Sequence, residues 1–288
     1  MPHEPPSTLA VDLLVVGGLT IDHFADGSSA PGGSVLHSSR AAAGAGLSVG
    51  VVAAAGDEPE AKRGLDEIGR VATLVHVRVP RTIAFRHDES GPIRRLFLDV
   101  AATRLDAPPV ELRPTAVLYA PVADEIGPEL GRQQFGGVLT AAILQGWLRI
   151  LEPGAEVQPR RLPDLPPDLV ASLQELDILI ASREDLRAEG DTPNAQLDAL
   201  RSVIGPRPTL VATEGIAGAW IDAGAGRLHV DVAEPITQVP TVGAGDAYAA
   251  VLAARLGGRR HDLLSAAADA AAAVSRMLAA RRDRQPGA

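Results

Sequence analysis

The segment Val239-Pro240-Thr241-Val242-Gly243-Ala244-Gly245-Asp246-Ala247-Tyr248 sets two glycines and an aspartate directly ahead of an alanine-rich stretch. Gly243 and Gly245 permit a tight turn and leave room beside the backbone for phosphate oxygens. Successive N–H groups at a helix start can cradle those oxygens, aided by the positive helix end. Asp246, near the first turn, could accept the proton of an incoming hydroxyl while the N–H groups hold the charge growing on a transferred phosphoryl group. Such chemistry rests on positioning and electrostatics more than on a raised pKa. The same residues also describe a glycine turn with Asp246 as a helix cap, and taken alone they fit both. The segment is not a P-loop, because the lysine of that motif is absent, and no G-x-G-x-x-G follows the first apolar run.

A second polar group stands near the start of the chain. Val15-Val16-Gly17-Gly18-Leu19-Thr20-Ile21-Asp22 places an aspartate just beyond a strand, the side on which α/β sheets bind ligands. Pro31-Gly32-Gly33-Ser34-Val35-Leu36-His37 then enters an Ala/Gly helix. Asp22 can accept hydrogen bonds from substrate hydroxyls, and Gly32-Gly33 lets a small polar ligand lie against backbone. A capping or turn role for Asp22, and helix packing for the glycines, stay open.

The elements that must position these groups read as βαβ repetition. Apolar runs recur at 12–18, 47–55, 116–119, 137–144, 176–181 and 209–212. Near-continuous apolar strands of this length belong to a parallel sheet covered on both faces. Stretches 60–71, 125–135 and 194–204 are long enough for crossover helices. Residues 74–98, with turn signals at Pro80 and Ser90-Gly91-Pro92, read as strands joined by a hairpin-like turn, either a cover for a cleft or an ordinary surface hairpin. Residues 218–221 and 228–231 flank a glycine-rich reversal. Two alanine-rich helices are expected at 244–256 and 262–280, with fraying from Arg281.

Composition narrows the function class. The 288 residues carry no cysteine, which removes disulfides, thiolate metal sites and cysteine nucleophiles. A net charge of -9, without aromatic-basic interleaving, argues against nucleic acid as a partner. The N-terminus lacks the pattern of a signal peptide, and the apolar runs are broken by Gly or charge before spanning length, so no membrane and a cytoplasmic location are expected. No spacer divides the chain, which reads most economically as one domain over 1–288.

With these motifs in order, the chain resembles the ribokinase-like carbohydrate kinases, the PfkB family, from Val15 to about Leu278. Thr241-Val242-Gly243-Ala244-Gly245-Asp246 matches the family's T-x-G-A-G-D signature, Gly32-Gly33 opens its N-terminal signature, and Thr213-Glu214-Gly215-Ile216-Ala217-Gly218 looks like its nucleotide-side T-x-G-x-x-G. The resemblance implies a doubly wound, mostly parallel α/β sheet with helices on both faces and a small β lid, built from 74–98 and part of 20–32. It implies ATP and Mg2+ as cofactors and a small sugar or polyol as acceptor. Asp246 is then the catalytic base, with the Gly243-Ala244-Gly245 backbone as anion hole. Asp22, Gly32, Gly33 and His37 fall on the substrate side, Thr213, Gly215, Gly218 and Thr241 on the nucleotide side, and Asp185 near the metal through water. Lid-mediated homodimers occur in the family, and the sequence leaves open whether one forms here.

Departures from the pattern matter. His37 stands where Asn is common, and Ser182-Arg183-Glu184-Asp185 replaces N-x-x-E. Pro240 occupies a frequent Asp position linked to a monovalent-cation site. Gln145-Gly146-Trp147-Leu148-Arg149 resembles a segment of inositol-kinase-like members, with Arg149 meeting either an anion or a structural partner. Two alternatives therefore accompany the kinase reading: a catalytically weakened ligand-binding or regulatory protein on the same fold, and a nucleoside as acceptor.

Overall fold

Leu13 to Gly18 are buried without alternation, as a strand covered on both faces must be. The computed structural model describes residues 9–88, 95–105, 111–130, 137–258 and 261–283. Along the chain run β1 (Leu9–Gly18), β2 (Thr20–His23), β3 (Ser29–Gly32), α1 (Ser34–Gly44), β4 (Val49–Ala55), α2 (Pro59–Gly69), β5 (Thr73–Arg78), β6 (Ile83–Asp88), β7 (Arg95–Val100), β8 (Leu112–Tyr119) and β9 (Leu139–Ile143). There follow β10 (Arg149–Ile150), β11 (Gln158–Pro159), α3 (Pro167–Gln174), β12 (Ile178–Ser182), α4 (Pro193–Ile204), β13 (Thr209–Thr213), β14 (Ala219–Asp222), β15 (Arg227–Val230), α5 (Ala244–Gly257) and α6 (Leu263–Arg282).

Nine strands form one sheet in the order β15-β14-β13-β12-β9-β8-β1-β4-β5. From β5 to β13 the neighbours are parallel, while β14 and β15 close the far edge antiparallel. The order turns around β1, which pairs β4 on one side and β8 on the other. Ligand crevices of open α/β sheets form at such a reversal, beyond the strand carboxyl ends. Helices α1, α2, α5 and α6 pack on one face and α3 and α4 on the other, each over a separate apolar cluster. Alanine at 247, 249, 250, 253 and 254 is buried, which lets α5 approach the sheet while held between α1 and α6. Local signals set the helix starts: Thr192 accepts from Ala195 N–H at 3.2 Å ahead of α4, and Asp262 accepts from Ser265 N–H at 2.8 Å ahead of α6.

The expected excursion at 74–98 divides between two sheets. Thr73–Arg78 is the edge strand of the main sheet, in register with β4. Ile83–Asp88 and Arg95–Val100 instead pair with each other in a second sheet of order β3-β2-β6-β7. The expected turn at Ser90-Gly91-Pro92 lies outside the described residues. The expected helix at 125–135 is corrected as far as residue 130, where only a 3-10 turn at Pro128–Leu130 forms, because Pro128 starts that turn and the Glu125 side chain is held elsewhere; 131–135 lie outside the described residues. Helix α6 continues through Arg282, past the expected fraying point. It is also long and apolar enough by composition to cross a bilayer, against the sequence expectation, although much of its alanine face packs into the sheet-side cluster.

Candidate active site

The glycine turn starts α5. Gly243 is the N-cap with φ 78°, a left-handed conformation that glycine reaches without penalty. A Cβ there would lie 2.5 Å from His37 Cγ, so the turn is pressed directly against α1. Ser38 fixes the same junction, its hydroxyl donating to the Asp246 carbonyl at 3.2 Å. Ala244 departs from the expected anion hole. Its N–H donates to the Thr241 carbonyl at 2.9 Å and closes the turn, which leaves the N–H groups of Gly243, Gly245 and Asp246 at this helix start for an anion.

His37 therefore lines the turn. Its burial draws the imidazole pKa below the ordinary value; the Asp246 and Asp22 carboxylates oppose that shift, and Arg281 and Arg40 reinforce it. A histidine whose folded pKa is depressed stays neutral in the native state while the unfolded chain protonates near its ordinary pKa of about 6.5. The stability it contributes is complete above that value and is lost as pH falls below it. His37→Asn is expected to flatten this acid limb: urea midpoints should drop less in the variant than in the parent between about pH 7.5 and about pH 5.5. Equal drops would remove His37 as the source.

Asp22 comes from β2, in the second sheet. Its Oδ1 lies 3.4 Å from Thr20 Oγ1 and 3.4 Å from Nε2 of the buried His87, whose ring stacks on Phe24 at 5.1 Å. Gly32, paired across from Thr20, crowds the Asp22 carboxylate so closely that any side chain would displace it. Gly33, φ 95°, then turns the chain into α1. Asp22, Gly32, Gly33 and His37 thus converge where the small sheet meets the main one.

Two further groups, Glu125 and Arg149, belong to the surroundings of these clusters. Glu125, 1% exposed, accepts N–H bonds from Gly18 at 2.8 Å, Val122 at 3.1 Å and Ala123 at 2.8 Å, tying the end of β1 to the loop after β8. Burial raises its pKa, and these N–H groups work against the shift. Arg149, the first residue of β10, donates to the Val122 carbonyl at 3.1 Å and lies 5.8 Å from the Phe85 ring centroid. Burial lowers its pKa, opposed in decreasing order by the carboxylates of Asp185, Asp246, Glu125 and Asp22. The four acidic groups come from four separate stretches of chain: Asp22 from β2, Glu125 from the loop after β8, Asp185 from the loop after β12 and Asp246 from the first turn of α5. The sequence signal for Arg149 is the segment Gln145-Gly146-Trp147-Leu148-Arg149 with its resemblance to inositol-kinase-like members, whereas Glu125 gives no signal beyond being an acid after a strand.

On the other side, Ser182 and Asp185 bond to each other: the Ser182 hydroxyl donates to Asp185 Oδ2 at 2.7 Å, and Asp185 N–H donates back to Ser182 Oγ at 3.0 Å. Arg183 pairs with Glu214, which also accepts from Trp220 Nε1 at 3.1 Å. This joins the 182–185 loop to the tight loop Thr213 to Gly218, where Glu214 N–H donates to the Gly218 carbonyl at 2.7 Å. Gly218, φ 97°, packs so closely on the Val230 carbonyl that a side chain cannot fit, whereas Gly215 faces open space. Thr241 is exposed at the mouth of the glycine turn. No cluster of three or more His, Cys, Asp or Glu suited to a metal exists among the described residues. Mg2+ in phosphate chemistry is commonly held by one or two carboxylates together with substrate phosphates, and Asp185 fits that mode.

The sequence profile of the pfkB family carbohydrate kinases matches residues 136–285. Among solved structures, a pyrophosphate-dependent kinase in the ribokinase family, complexed with a pyrophosphate analog and myo-inositol, superposes with a TM-score of 0.74 at 18% identity, over 96% of each chain. Arabidopsis thaliana ribokinase complexed with ribose and ATP gives 0.70 at 17% identity, over 97% of this chain and 95% of its own. A nucleoside kinase from Methanocaldococcus jannaschii gives 0.64 at 12%, over 93% and 92%. No curated protein sequence matches the chain. At these identities the structural likeness speaks for the fold: the mostly parallel sheet with helices on both faces is ribokinase-like.

Proposed function

The chain belongs to the pfkB family of carbohydrate kinases, and from that membership we propose that it transfers the γ-phosphoryl group of ATP to a hydroxyl of a small sugar or polyol. The observation that carries the reading is the glycine turn at Gly243, which presses on His37 of α1 while the Ser38 hydroxyl holds the Asp246 carbonyl, so that the turn ending in Asp246 stands against the helix that follows Gly32-Gly33.

Asp22 accepts a hydrogen bond from an acceptor hydroxyl and fixes the sugar or polyol beneath the small sheet. Asp246 takes the proton from the attacking hydroxyl, and the N–H groups of Gly243, Gly245 and Asp246 hold the charge on the transferred group. Arg149 supplies the positive charge that keeps these carboxylates compatible with an incoming polyanion. The loop Thr213 to Gly218 and Thr241 receive the nucleotide. Asp185 would hold Mg2+, which would supply positive charge to offset the negative charge of the donor phosphates. The small sheet, acting as a lid, keeps water from competing as acceptor.

Ser182 and Asp185, hydrogen-bonded to each other, favour a second reading in which the fold binds ligand with weakened transfer. A panel of sugars, polyols and nucleosides, offered with ATP or with pyrophosphate and Mg2+, decides between them by ADP or phosphate release and product mass. The kinase reading expects one sugar or polyol to yield a product heavier by one phosphoryl group. Saturable calorimetric binding without transfer across the panel would establish the weakened reading, turnover confined to nucleosides would replace the acceptor class, and use of pyrophosphate alone would replace the donor.

A further inference from the structure

We propose that Arg281 is a built-in cation for the phosphate turn, a positioning residue whose fixed charge holds residues 240–242 in place and spares the reaction proposed above, on which this inference rests, a bound monovalent cation. A single guanidinium nitrogen, Arg281 Nη1, donates to the Pro240 carbonyl at 2.9 Å and to the Val242 carbonyl at 2.8 Å. Two backbone carbonyls converging on one point are the surroundings in which a weakly hydrated cation exchanges its water shell for protein oxygens. Here a side chain fills that position. Its charge is permanent, because guanidinium does not deprotonate in proteins, and bonds from it to carbonyls are stronger than neutral ones.

The tie lies where the turn needs one. Val242 directly precedes Gly243, the left-handed N-cap of α5, and Gln238, four residues before Val242, has φ 63°, a conformation that non-glycine residues hold only when the surroundings impose it. Pro240 offers neither an N–H nor a carboxylate to fix the segment locally. Arg281 reaches it from the last turn of α6, about forty residues further along the chain. The same helix steadies the guanidinium through Met277, whose sulfur lies 3.7 Å from Nη2. Arg281 thereby sets the angle at which the N–H groups of Gly243, Gly245 and Asp246 meet an anion.

The test uses the full chain and the acceptor found by the panel, in potassium, sodium and tetramethylammonium buffers. The parent should turn over at equal rates in all three, within about twofold, and Arg281→Met should lose about a hundredfold in kcat, the scale of a displaced reacting geometry. Because methionine leaves the carbonyl pair open, added potassium or guanidinium should return about tenfold of that loss, a recovery that a purely structural defect does not show. Potassium activation of the parent, parent-like kinetics in Arg281→Met, or a loss that neither cation restores would each overturn the proposal. If Arg281→Met does not fold, the salt series on the parent decides alone. Amide exchange at 241–246 separates this inference from the kinase reading: faster exchange in Arg281→Met, slowed again by guanidinium, upholds the role of Arg281 even where no acceptor is phosphorylated, and unchanged exchange there removes it.

Discussion

Asp246→Asn is expected to fold and melt like the parent yet to lose about 10²- to 10⁴-fold in kcat, the range a positioned general base contributes. The substitution is nearly isosteric, and the backbone contacts of Asp246 survive it: its carbonyl still accepts from Ser38 Oγ, and its N–H still faces the anion position. What disappears is the carboxylate to which the proposed mechanism assigns the hydroxyl proton. Donor binding should persist, because the N–H groups of the turn are unchanged, so the KM for ATP should move far less than kcat. ADP production dependent on acceptor, measured beside thermal melting, reads both quantities. An unchanged kcat would return Asp246 to the helix-cap role that the sequence also allowed.

Gly243→Ala is expected to damage both stability and rate. The φ of 78° costs an L-residue about 1–2 kcal/mol, and the added Cβ would stand 2.5 Å from His37 Cγ and 2.8 Å from His37 Cβ. His37 has little room to retreat, since the neighbouring Ser38 ties α1 to α5 through the Asp246 carbonyl. The turn must therefore move, and a shift of the anion position by about 1 Å is enough to cost about a hundredfold in kcat. Adding His37→Ala to Gly243→Ala should recover part of the lost rate by opening space, while the backbone penalty of about 1–2 kcal/mol remains. Chemical denaturation and kinetics on the three variants measure the two contributions separately. A single variant with the midpoint and kcat of the parent would show that the turn tolerates a side chain, and that Gly243 is not what sets its geometry.

The parts of the site that lie within one stretch of chain were legible beforehand. Glycine pairs before an alanine-rich helix mark the α5 turn because only glycine takes its left-handed N-cap freely, and the apolar runs of β1, β4, β8, β9, β12 and β13 announce a doubly covered parallel sheet. Hydrophobic pattern is ambiguous between sheets. Leu74 to Leu98 looked like one excursion, yet its first strand pairs β4 and its later strands build the second sheet, since β propensity gives a strand without giving its partner. The 125–135 helix failed because Glu125 and Pro128 commit the start of that segment to loop contacts.

The sequence by itself determined which groups are on offer: an acid after a glycine turn, a second acid near the first strand, a glycine-rich loop at 213–218, and no cysteine. Only the tertiary structure decided which groups meet. Glu125 reaches Gly18 across 107 positions, Arg281 reaches Pro240 across 41, and Arg149 reaches the Val122 carbonyl across 27. Local periodicity reports the face on which a residue lies within its own element. It carries no information on which distant element that face will meet, because that pairing is fixed by packing of the whole sheet and its helices.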